Sequence, residues 1–312
     1  MSNKPLVLLT GGSGMVGRNI LEHPMAKLFS FVYPTSAELD LRDYCSVKKF
    51  FSKISPEFVI HAAGLVGGIQ ANMVSPVNFL VENTDIGRNV ILASRDAGVQ
   101  KLLNISSSCM YPRNAANPLT EDLILKGELE PTNEGYALAK IFAMRLCAYI
   151  QNEDSSFQYK TLIPCNLYGR FDKFDPKYSH LIPAIINKVH FAKINQKKIV
   201  EIWGDGVARR EFMYAGDLAD VVLRVISDFK KLPSLMNVGI GIDYSIYEYY
   251  EVVAKVVGWK GKFVYDLSQP VGMKRKLVSI DLQKEWGWQS ATSLEEGIQR
   301  TYKFYLKTLN EY

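Results

Sequence analysis

The sequence predicts an α/β fold in which a doubly wound parallel sheet is joined to a smaller, interleaved C-terminal α/β lobe. In the first half, strand-like apolar runs alternate with stretches of helical periodicity. A glycine-rich turn also follows the first apolar run. The chain of 312 residues is long enough for one large unit or two joined lobes. Because the pattern becomes less regular after about residue 165, we expect one domain at 1–165, with segments around 213–238 returning to it, and a second mainly at 166–312.

The strands and helices of the first half are predicted in alternation along the chain. Strands are expected where short apolar runs occur, and helices where apolar residues recur at intervals of three and four. Such alternation favours parallel β-α-β units, whose ligands bind at the carboxyl ends of the strands. We predict strands at 5–10, 29–34, 57–61, 101–105, 159–164 and 236–238, helices at 14–28, 45–54, 81–97 and 136–151, and a helix start within 244–250.

Composition and charge exclude several classes of protein. Apolar residues make up 47% and charged residues 22%, which is an ordinary globular balance. The net charge of +5 is dispersed, so no nucleic-acid partner is expected. No apolar run approaches the length of a membrane span. The four cysteines form no CxxC pair, so we predict no metal site, and the thiols indicate a reduced, cytoplasmic protein.

Residues 10–17, TGGSGMVG, lie between the first predicted strand and helix. Gly11 permits a tight turn, Gly14 allows a pyrophosphate to approach the backbone, and Gly17 allows close packing of helix on strand. A plain turn is the alternative, but the strand before and the helix after favour a Rossmann-type dinucleotide site. The predicted cofactor-binding residues are Gly11, Gly12, Ser13, Gly14, Met15, Val16 and Gly17.

The end of the second predicted strand bears on the choice between NAD and NADP. NAD-binding proteins usually place an acidic residue there for the ribose hydroxyls. Residues 32–36 contain no acid, and the first one is Glu38, which favours NADP(H) although no clear cationic clamp follows. Asp40 and Leu41 are predicted to contact the adenine, with a solvated turn as the alternative.

Tyr136 and Lys140 form a YxxxK pair whose spacing of four puts both side chains on one helix face. A neighbouring ammonium and a bound nicotinamidium are expected to lower the pKa of the phenol, so that Tyr136 can protonate a carbonyl oxygen while hydride arrives at carbon. Ser107 follows a predicted buried strand, where its hydroxyl can bind the same carbonyl. A surface pair and a serine-rich turn are the structural alternatives.

Together these residues resemble the extended short-chain dehydrogenase/reductases, as does the Asn83-x-x-x-Gly87-x-Asn89 pattern. More narrowly, the chain resembles the GDP-L-fucose synthase family. The matching segments are 61–69 (HAAGLVGGI), 107–112 (SSCMYP), 130–134 (EPTNE), 164–169 (PCNLYG), 179–184 (SHLIPA), 203–206 (WGDG) and 210–214 (REFMY).

The resemblance implies an NADP-dependent reductase of a GDP-4-keto-6-deoxy sugar that also epimerises C3 and C5. It implies a reductase triad of Ser107, Tyr136 and Lys140, with Cys109 and His180 as base and acid of the epimerisation. By analogy it also implies a homodimer. Further cofactor contacts are implied for Ser106, Lys140, Pro164, Asn166, Leu167 and His180, and substrate contacts for Ser108, Lys188, Trp203 and Arg210.

Three departures from the family pattern leave the substrate open. Residues 170–174 are RFDKF instead of PHDNF, Gly135 replaces a proline, and 270–272 is PVG instead of PDG. All three are expected near the sugar, so a C4-reductase acting on a GDP-4-keto-heptose after a separate epimerase remains an alternative. A non-enzymatic NADP-binding regulator and a dehydratase or 4-epimerase with retained NAD are further alternatives.

No catalytic role is predicted for the other three cysteines or for the short basic run near the C-terminus. Cys45, Cys147 and Cys165 are predicted to be buried small side chains. The run at 274–276, KRK, is expected to be solvated, with contact to a phosphate as the alternative.

Overall fold

The computed structural model describes residues 4–175, 179–268 and 272–310. Within these ranges a six-stranded parallel sheet has the strand order β10-β5-β4-β3-β1-β2. This arrangement confirms the predicted doubly wound parallel sheet. The strands are β1 (Leu6–Thr10), β2 (Ser30–Val32), β3 (Phe58–His61), β4 (Lys101–Ile105), β5 (Gln158–Pro164), β6 (Asn166–Tyr168), β7 (Ile199–Trp203), β8 (Arg209–Arg210), β9 (Phe212–Tyr214), β10 (Leu235–Val238), β11 (Tyr244–Ser245), β12 (Lys262–Asp266) and β13 (Arg275–Lys276).

The helices pack on both faces of this sheet and in the second lobe. Short 3-10 turns lie at Ser108–Met110 and Pro131–Asn133, directly before or beside the candidate site. The α-helices are α1 (Met15–Glu22), α2 (Tyr44–Ile54), α3 (Ile69–Val74), α4 (Pro76–Asp96), α5 (Glu134–Glu153), α6 (Leu181–Ile194), α7 (Ala215–Ser227), α8 (Ile246–Val257), α9 (Asp281–Glu285) and α10 (Leu294–Asn310).

Two predicted helix boundaries were wrong, and proline explains both. The first helix was expected to continue to residue 28, but α1 ends at Glu22 and a 3-10 turn follows from Pro24. Proline disfavours a helical conformation in the residue before it, which is His23 here. Helix α4 begins five residues before the predicted start, with Pro76 at its first position, where the missing N–H costs nothing.

The central strands are bare apolar runs because helices cover both faces of the sheet. In β1 the side chains of Val7, Leu8 and Leu9 are fully buried, and they contribute to clusters on opposite faces. Burying one such aliphatic side chain stabilises the fold by about 1.5–3 kcal/mol. The carboxyl ends of β1, β3 and β4 therefore meet at one fixed edge of the sheet.

The second lobe has its own core, which is richer in aromatic side chains. Helices α6, α8 and α10 pack together with the β7–β12 pair. Strands β11, β8 and β13 form another small sheet, and β6 pairs with β9. Edge-to-face contacts within the core include Phe212 against Tyr249 and Tyr250 against Phe263, with ring centroids 5.2 and 5.4 Å apart.

Glu211 connects the two lobes through a buried carboxylate. It accepts hydrogen bonds from the backbone N–H groups of Ile240 at 2.7 Å, Gly241 at 2.8 Å and Val278 at 3.0 Å. The segment 240–241 follows β10 of the central sheet, and Val278 follows β13 of the second lobe. Burial raises the pKa of Glu211 to about 7, because desolvation penalises the charged form more than these three bonds favour it.

None of the described helices combines the length and apolar character that crossing a bilayer demands.

Candidate active site

The glycine turn between β1 and α1 leaves room for a ligand on one side only. Gly11 has φ +76°, and a Cβ there would lie 2.8 Å from the backbone of Ala62 and Ala63. A Cβ at Gly17 would lie 2.5 Å from the Gly12 Cα. At Gly14 the nearest atom to a Cβ would be the Gly11 oxygen at 3.4 Å, so the space beside the start of α1 is open. The turn therefore fits a diphosphate bound at a helix N-terminus.

Two buried asparagines of α4 hold loops at the edge of the sheet. Asn83 accepts a hydrogen bond from the Leu65 N–H at 2.8 Å and donates one to the Leu65 carbonyl at 3.1 Å. Asn89 donates to the carbonyls of Leu41 and Arg42, both at 2.9 Å. These bonds explain the asparagine pattern noted in the sequence, because Asn89 fixes the predicted adenine-binding segment.

Four of the predicted catalytic residues come together where β4 ends and α5 begins. Lys140 donates a hydrogen bond to the Ile105 carbonyl at 3.3 Å, and its ammonium lies 5.6 Å from the centroid of the Tyr136 ring. The Cys109 N–H donates to the Ser107 hydroxyl oxygen at 3.3 Å. Cys109 also interacts electrostatically with both Tyr136 and Lys140.

Burial governs the protonation of these groups. It lowers the pKa of Lys140 to about 8 and raises the pKa of Tyr136 well above its ordinary value. We expected Lys140 and a bound nicotinamide to lower the pKa of the phenol together; in the chain by itself burial, followed by the neighbouring Cys109, raises it. Tyr136 is therefore a neutral phenol, the form that can donate a proton.

His180 and Cys109 share one cationic neighbour, Lys276. Burial lowers the pKa of the His180 imidazole, and the charges of Lys276 and then Lys173 lower it further. Burial raises the pKa of the Cys109 thiol, and Lys276 is the strongest influence opposing that rise. Lys274 and Arg275 are exposed, as expected of this basic run, whereas Lys276 is half-buried where β13 pairs with β8. Sequence reasoning missed this residue because a three-residue basic run is normally exposed.

The candidate substrate residues occupy different parts of the second lobe. Lys188 of α6 donates to the Glu201 carbonyl, and burial lowers its pKa. Trp203 ends β7 with 47% of its surface exposed. Arg210 lies in β8 beside β13, where burial lowers its pKa and Glu130 opposes that shift. Ser108 is buried next to Cys109 in a 3-10 turn.

The remaining candidate cofactor residues line the ends of strands or the loops after them. Asp40 is paired with Arg42, whose hydrogen bonds lower the pKa of that carboxyl to about 2. Ser106 is buried and donates to the Met110 sulfur at 3.1 Å. Asn166 donates to the Glu211 carbonyl at 2.9 Å. Pro164 ends β5, and Leu167 is half-buried in β6.

Two of the three departures from the family pattern face elements other than the catalytic group. Arg170 pairs with Glu22 of α1 at 3.0 Å, and Phe171 packs on Phe304 of α10 with ring centroids 4.7 Å apart. These contacts attach the start of the loop to α1 and α10, and its place near the sugar stays a prediction. At Gly135 a Cβ would lie 2.9 Å from the Pro76 oxygen, so α4 leaves no room for a side chain. Residues 270–271 lie outside the described ranges.

All four thiols are free, and no group of three or more His, Cys, Asp or Glu side chains in the described ranges could hold a metal ion. Cys147 and Cys165 are buried as predicted, whereas Cys45 is exposed in the first turn of α2.

Comparison with known proteins gives consistent matches along the chain. Residues 7–239 match the family described as NAD dependent epimerase/dehydratase. The chain is 55% identical over 304 residues to GDP-L-colitose synthase of Yersinia pseudotuberculosis, covering 97% of this chain and 99% of that one. It is 49% identical over 300 residues to GDP-L-fucose synthase of Azorhizobium caulinodans, covering 96% of each. A GDP-mannoheptose C4 reductase from Campylobacter jejuni, solved with NADP bound, superposes with a TM-score of 0.87 at 35% identity, covering 98% and 99%.

Acid stability should depend on His61, which ends β3 beneath the candidate site. Its Nδ1 lies 2.8 Å from the Thr10 hydroxyl, and burial, then Lys140, lowers its pKa from 6.5 to about 3. Between those values the unfolded chain binds a proton that the folded chain does not, so the free energy of unfolding falls as pH falls. In the wild type, acid therefore lowers the free energy of unfolding through His61. We expect this decrease to be smaller by about 2–4 kcal/mol in His61→Gln, which has no imidazole to protonate. Urea unfolding at several pH values measures it, and an unchanged acid limb contradicts the assignment.

Proposed function

The chain belongs to the NAD dependent epimerase/dehydratase family, and we propose that it is an NADPH-dependent reductase of the C4 ketone of a GDP-4-keto-6-deoxy sugar, with prior epimerisation at C3 and C5. The observation behind this proposal is the cluster of Ser107, Cys109, Tyr136 and Lys140 at the carboxyl end of β4, in which Cys109 and Lys140 are buried and the other two half-buried. It contains a proton donor for a ketone and a thiol for the carbon beside it.

NADP(H) fits the edge of the sheet formed by the glycine turn and the loops after β2 and β3. The open space beside Gly14 suits the diphosphate, and Asn89 fixes the segment of Asp40 and Leu41. Glu38 accepts hydrogen bonds from the N–H and hydroxyl of Thr35, so its carboxylate is engaged within its own turn. When bound, the nicotinamide supplies the hydride that reaches C4.

In the reduction, Tyr136 donates its phenolic proton to the C4 oxygen, and Ser107 donates a hydrogen bond to the same oxygen. The phenolate left behind is costly in a buried site. Lys140 offsets that cost, because its ammonium lies one helical turn away and is protonated below a pKa of about 8. Removing a Tyr136 hydroxyl should therefore stop the chemistry without disturbing the cofactor site.

In the epimerisation, the C4 carbonyl acidifies the C–H bonds at C3 and C5. The Cys109 thiolate removes one of these protons, the electron pair moves onto the C4 oxygen, and Ser107 and Tyr136 hold the resulting enolate. His180, as imidazolium, returns a proton to the opposite face of the carbon. Each cycle inverts one centre and leaves the sugar at the same oxidation level.

Two other substrates are supported by specific similarities. A GDP-4-keto-heptose reduced only at C4 is favoured by the likeness to the Campylobacter reductase. A GDP-keto sugar that is reduced to GDP-L-colitose is favoured by the 55% identity to GDP-L-colitose synthase. Turnover of the three GDP-ketones, with product configuration assigned by NMR, separates these substrates.

Two other classes of function predict different behaviour. A non-enzymatic regulator has no need of Tyr136 and a buried Lys140 beside Ser107. A dehydratase or 4-epimerase recycles its cofactor, so purified protein with tightly bound NAD would favour that class. The reductase instead consumes one NADPH for each sugar reduced.

The two halves of the chain are assigned different ligands in this proposal. Residues 1–165, with the segments around 213–238, bind NADP(H), and 166–312 mainly bind the GDP-sugar through Lys188, Trp203 and Arg210. The four free thiols are consistent with a location in the reducing cytoplasm. The proposed product is a precursor of a bacterial surface polysaccharide. Neither a nucleic acid nor a membrane is a partner.

A homodimer is proposed through the adjacent helices α4 and α5. These helices pack side by side and expose apolar side chains on one surface. Large exposed apolar areas are unusual on a monomer and indicate an interface. The exposed side chains are Val77, Leu80 and Val81 of α4 and Leu138, Phe142 and Tyr149 of α5.

The Tyr136→Phe variant tests the proton donor. We expect the reduction rate to fall at least about a hundredfold, because a missing acid costs that much, while NADPH affinity changes less than twofold. Stopped-flow reduction and a fluorescence titration measure these quantities. The control is Tyr149→Phe on the exposed side of α5. A normal rate in Tyr136→Phe refutes the assignment.

Solvent-deuterium exchange tests the epimerisation. In D₂O without cofactor, GDP-4-keto-6-deoxymannose should gain deuterium at C3 and C5, as followed by NMR. Cys109→Ser should slow this gain at least about a hundredfold, since serine is a far weaker base than a thiolate, whereas Cys45→Ser should not. No exchange with the wild-type protein removes the epimerase step and leaves a C4-reductase.

The Phe142→Asp variant tests the dimer. Light scattering should give a mass of twice 35.2 kDa for the wild type and 35.2 kDa for the variant, because a buried unpaired carboxylate disrupts an apolar interface. Phe191→Asp, at a comparably exposed phenylalanine of α6, is the matched control and should remain dimeric. A dimeric Phe142→Asp places the interface elsewhere.

A further inference from the structure

Lys276 is a cation at the candidate site to which the proposed reaction gives no role. It ends β13, which pairs in parallel with β8 so that Lys276 lies opposite Arg210. The Glu211 N–H donates to the Lys276 carbonyl at 3.2 Å, and the Leu119 N–H donates to the Leu277 carbonyl at 2.8 Å. Bonds on both sides of the strand therefore fix the backbone at Lys276.

Strand alternation sends Lys276 to the opposite face from its neighbour Arg275. Arg275 pairs with the Asp243 carboxylate on the outer face of this small sheet. Lys276 lies on the same face as Val278, two residues further on, and Val278 pairs with Leu119 and belongs with Cys109 to one core cluster. Its ammonium interacts electrostatically with the thiols of Cys109 and Cys165, with Arg210 and Glu211, and with His180. Lys274, two residues earlier, is exposed.

Lys276 is half-buried, and its ammonium has no hydrogen bond or ion pair among those formed within the described part of the chain. Glu211 is the carboxylate that faces it, but that group is already bound by three backbone N–H groups. Removing a cation from water without a dedicated partner is costly. The cost is offset if an anion forms beside it, and Cys109 is the neighbouring group that the reaction converts into one.

We propose that Lys276 is a positioning residue that stabilises the thiolate of Cys109 and thereby sets the strength of the base in the epimerisation. This inference rests on the proposed function of Cys109. The thiol releases its proton to solvent before the sugar reacts, and the thiolate then takes the proton from the sugar carbon, whose electron pair moves to the C4 oxygen. Lys276 keeps its own protons throughout.

Every charged or titratable neighbour of Cys109 is consistent with this role. Burial opposes the thiolate, while Lys276, the Ser107 hydrogen bond and Lys140 favour it, in that order. Tyr136 is the remaining titratable neighbour and is a neutral phenol. The same charge makes a protonated His180 a stronger acid, which suits its role on the other face of the sugar.

Thiol alkylation tests the inference without any sugar. The full-length protein carrying Cys45→Ser is treated with iodoacetamide over a range of pH, and mass spectrometry follows the peptide containing Cys109. With Lys276→Met we expect the midpoint of the pH profile to rise by about one unit and the rate near pH 8 to fall about tenfold. Lys276→Arg should restore most of the rate, and Lys274→Met, the exposed control, should match the parent.

An unchanged pH profile in Lys276→Met overturns the inference, as does an equal shift in Lys274→Met. Lys276→Gln is the second neutral variant, used if the methionine variant fails to fold, and protection of the buried Cys147 reports folding in each sample. Failure of this inference and failure of the proposed epimerisation give different results. If the wild type exchanges no deuterium but the thiol profile still shifts, the epimerase proposal fails while the role of Lys276 in forming the thiolate stands.

Discussion

Desolvation at the carboxyl edge of the central sheet is the constraint on which the chemistry depends. Cys109 and Lys140 are each more than nine-tenths buried, and Tyr136 packs between them and Phe79. Burial favours the uncharged form of each group, so the phenol keeps its proton and the ammonium holds its proton weakly. A charge that forms during a reaction then interacts strongly with neighbouring charges, because little water is available to screen it.

The second requirement is that loops from distant parts of the chain stay in place at this edge. Three buried polar side chains do this by bonding to backbone groups. Asn83 and Asn89 hold the loops after β3 and before α2, and Glu211 holds the segments after β10 and β13. Because each side chain satisfies backbone groups that would otherwise be buried without partners, replacing it affects both stability and site geometry.

The proposed sugar site draws on separate segments of the second half of the chain. His180 directly precedes α6, and Arg210 and Lys276 lie opposite each other in paired strands of a small sheet. In one departure from the family pattern, the 170–174 loop, Arg170 and Phe171 contact α1 and α10.

The sequence by itself determined the parallel sheet, the glycine turn and the Tyr136–Lys140 pair, because each follows from short-range spacing within one strand, turn or helix. Tertiary structure alone decided the partial burial of Lys276, the exposure of Cys45 and the direction of the loop at 170–171. Those features depend on which segments, distant in sequence, pack against them. It also decided how far Tyr136 is removed from water, which raises the pKa of the phenol and depends on the elements that surround it.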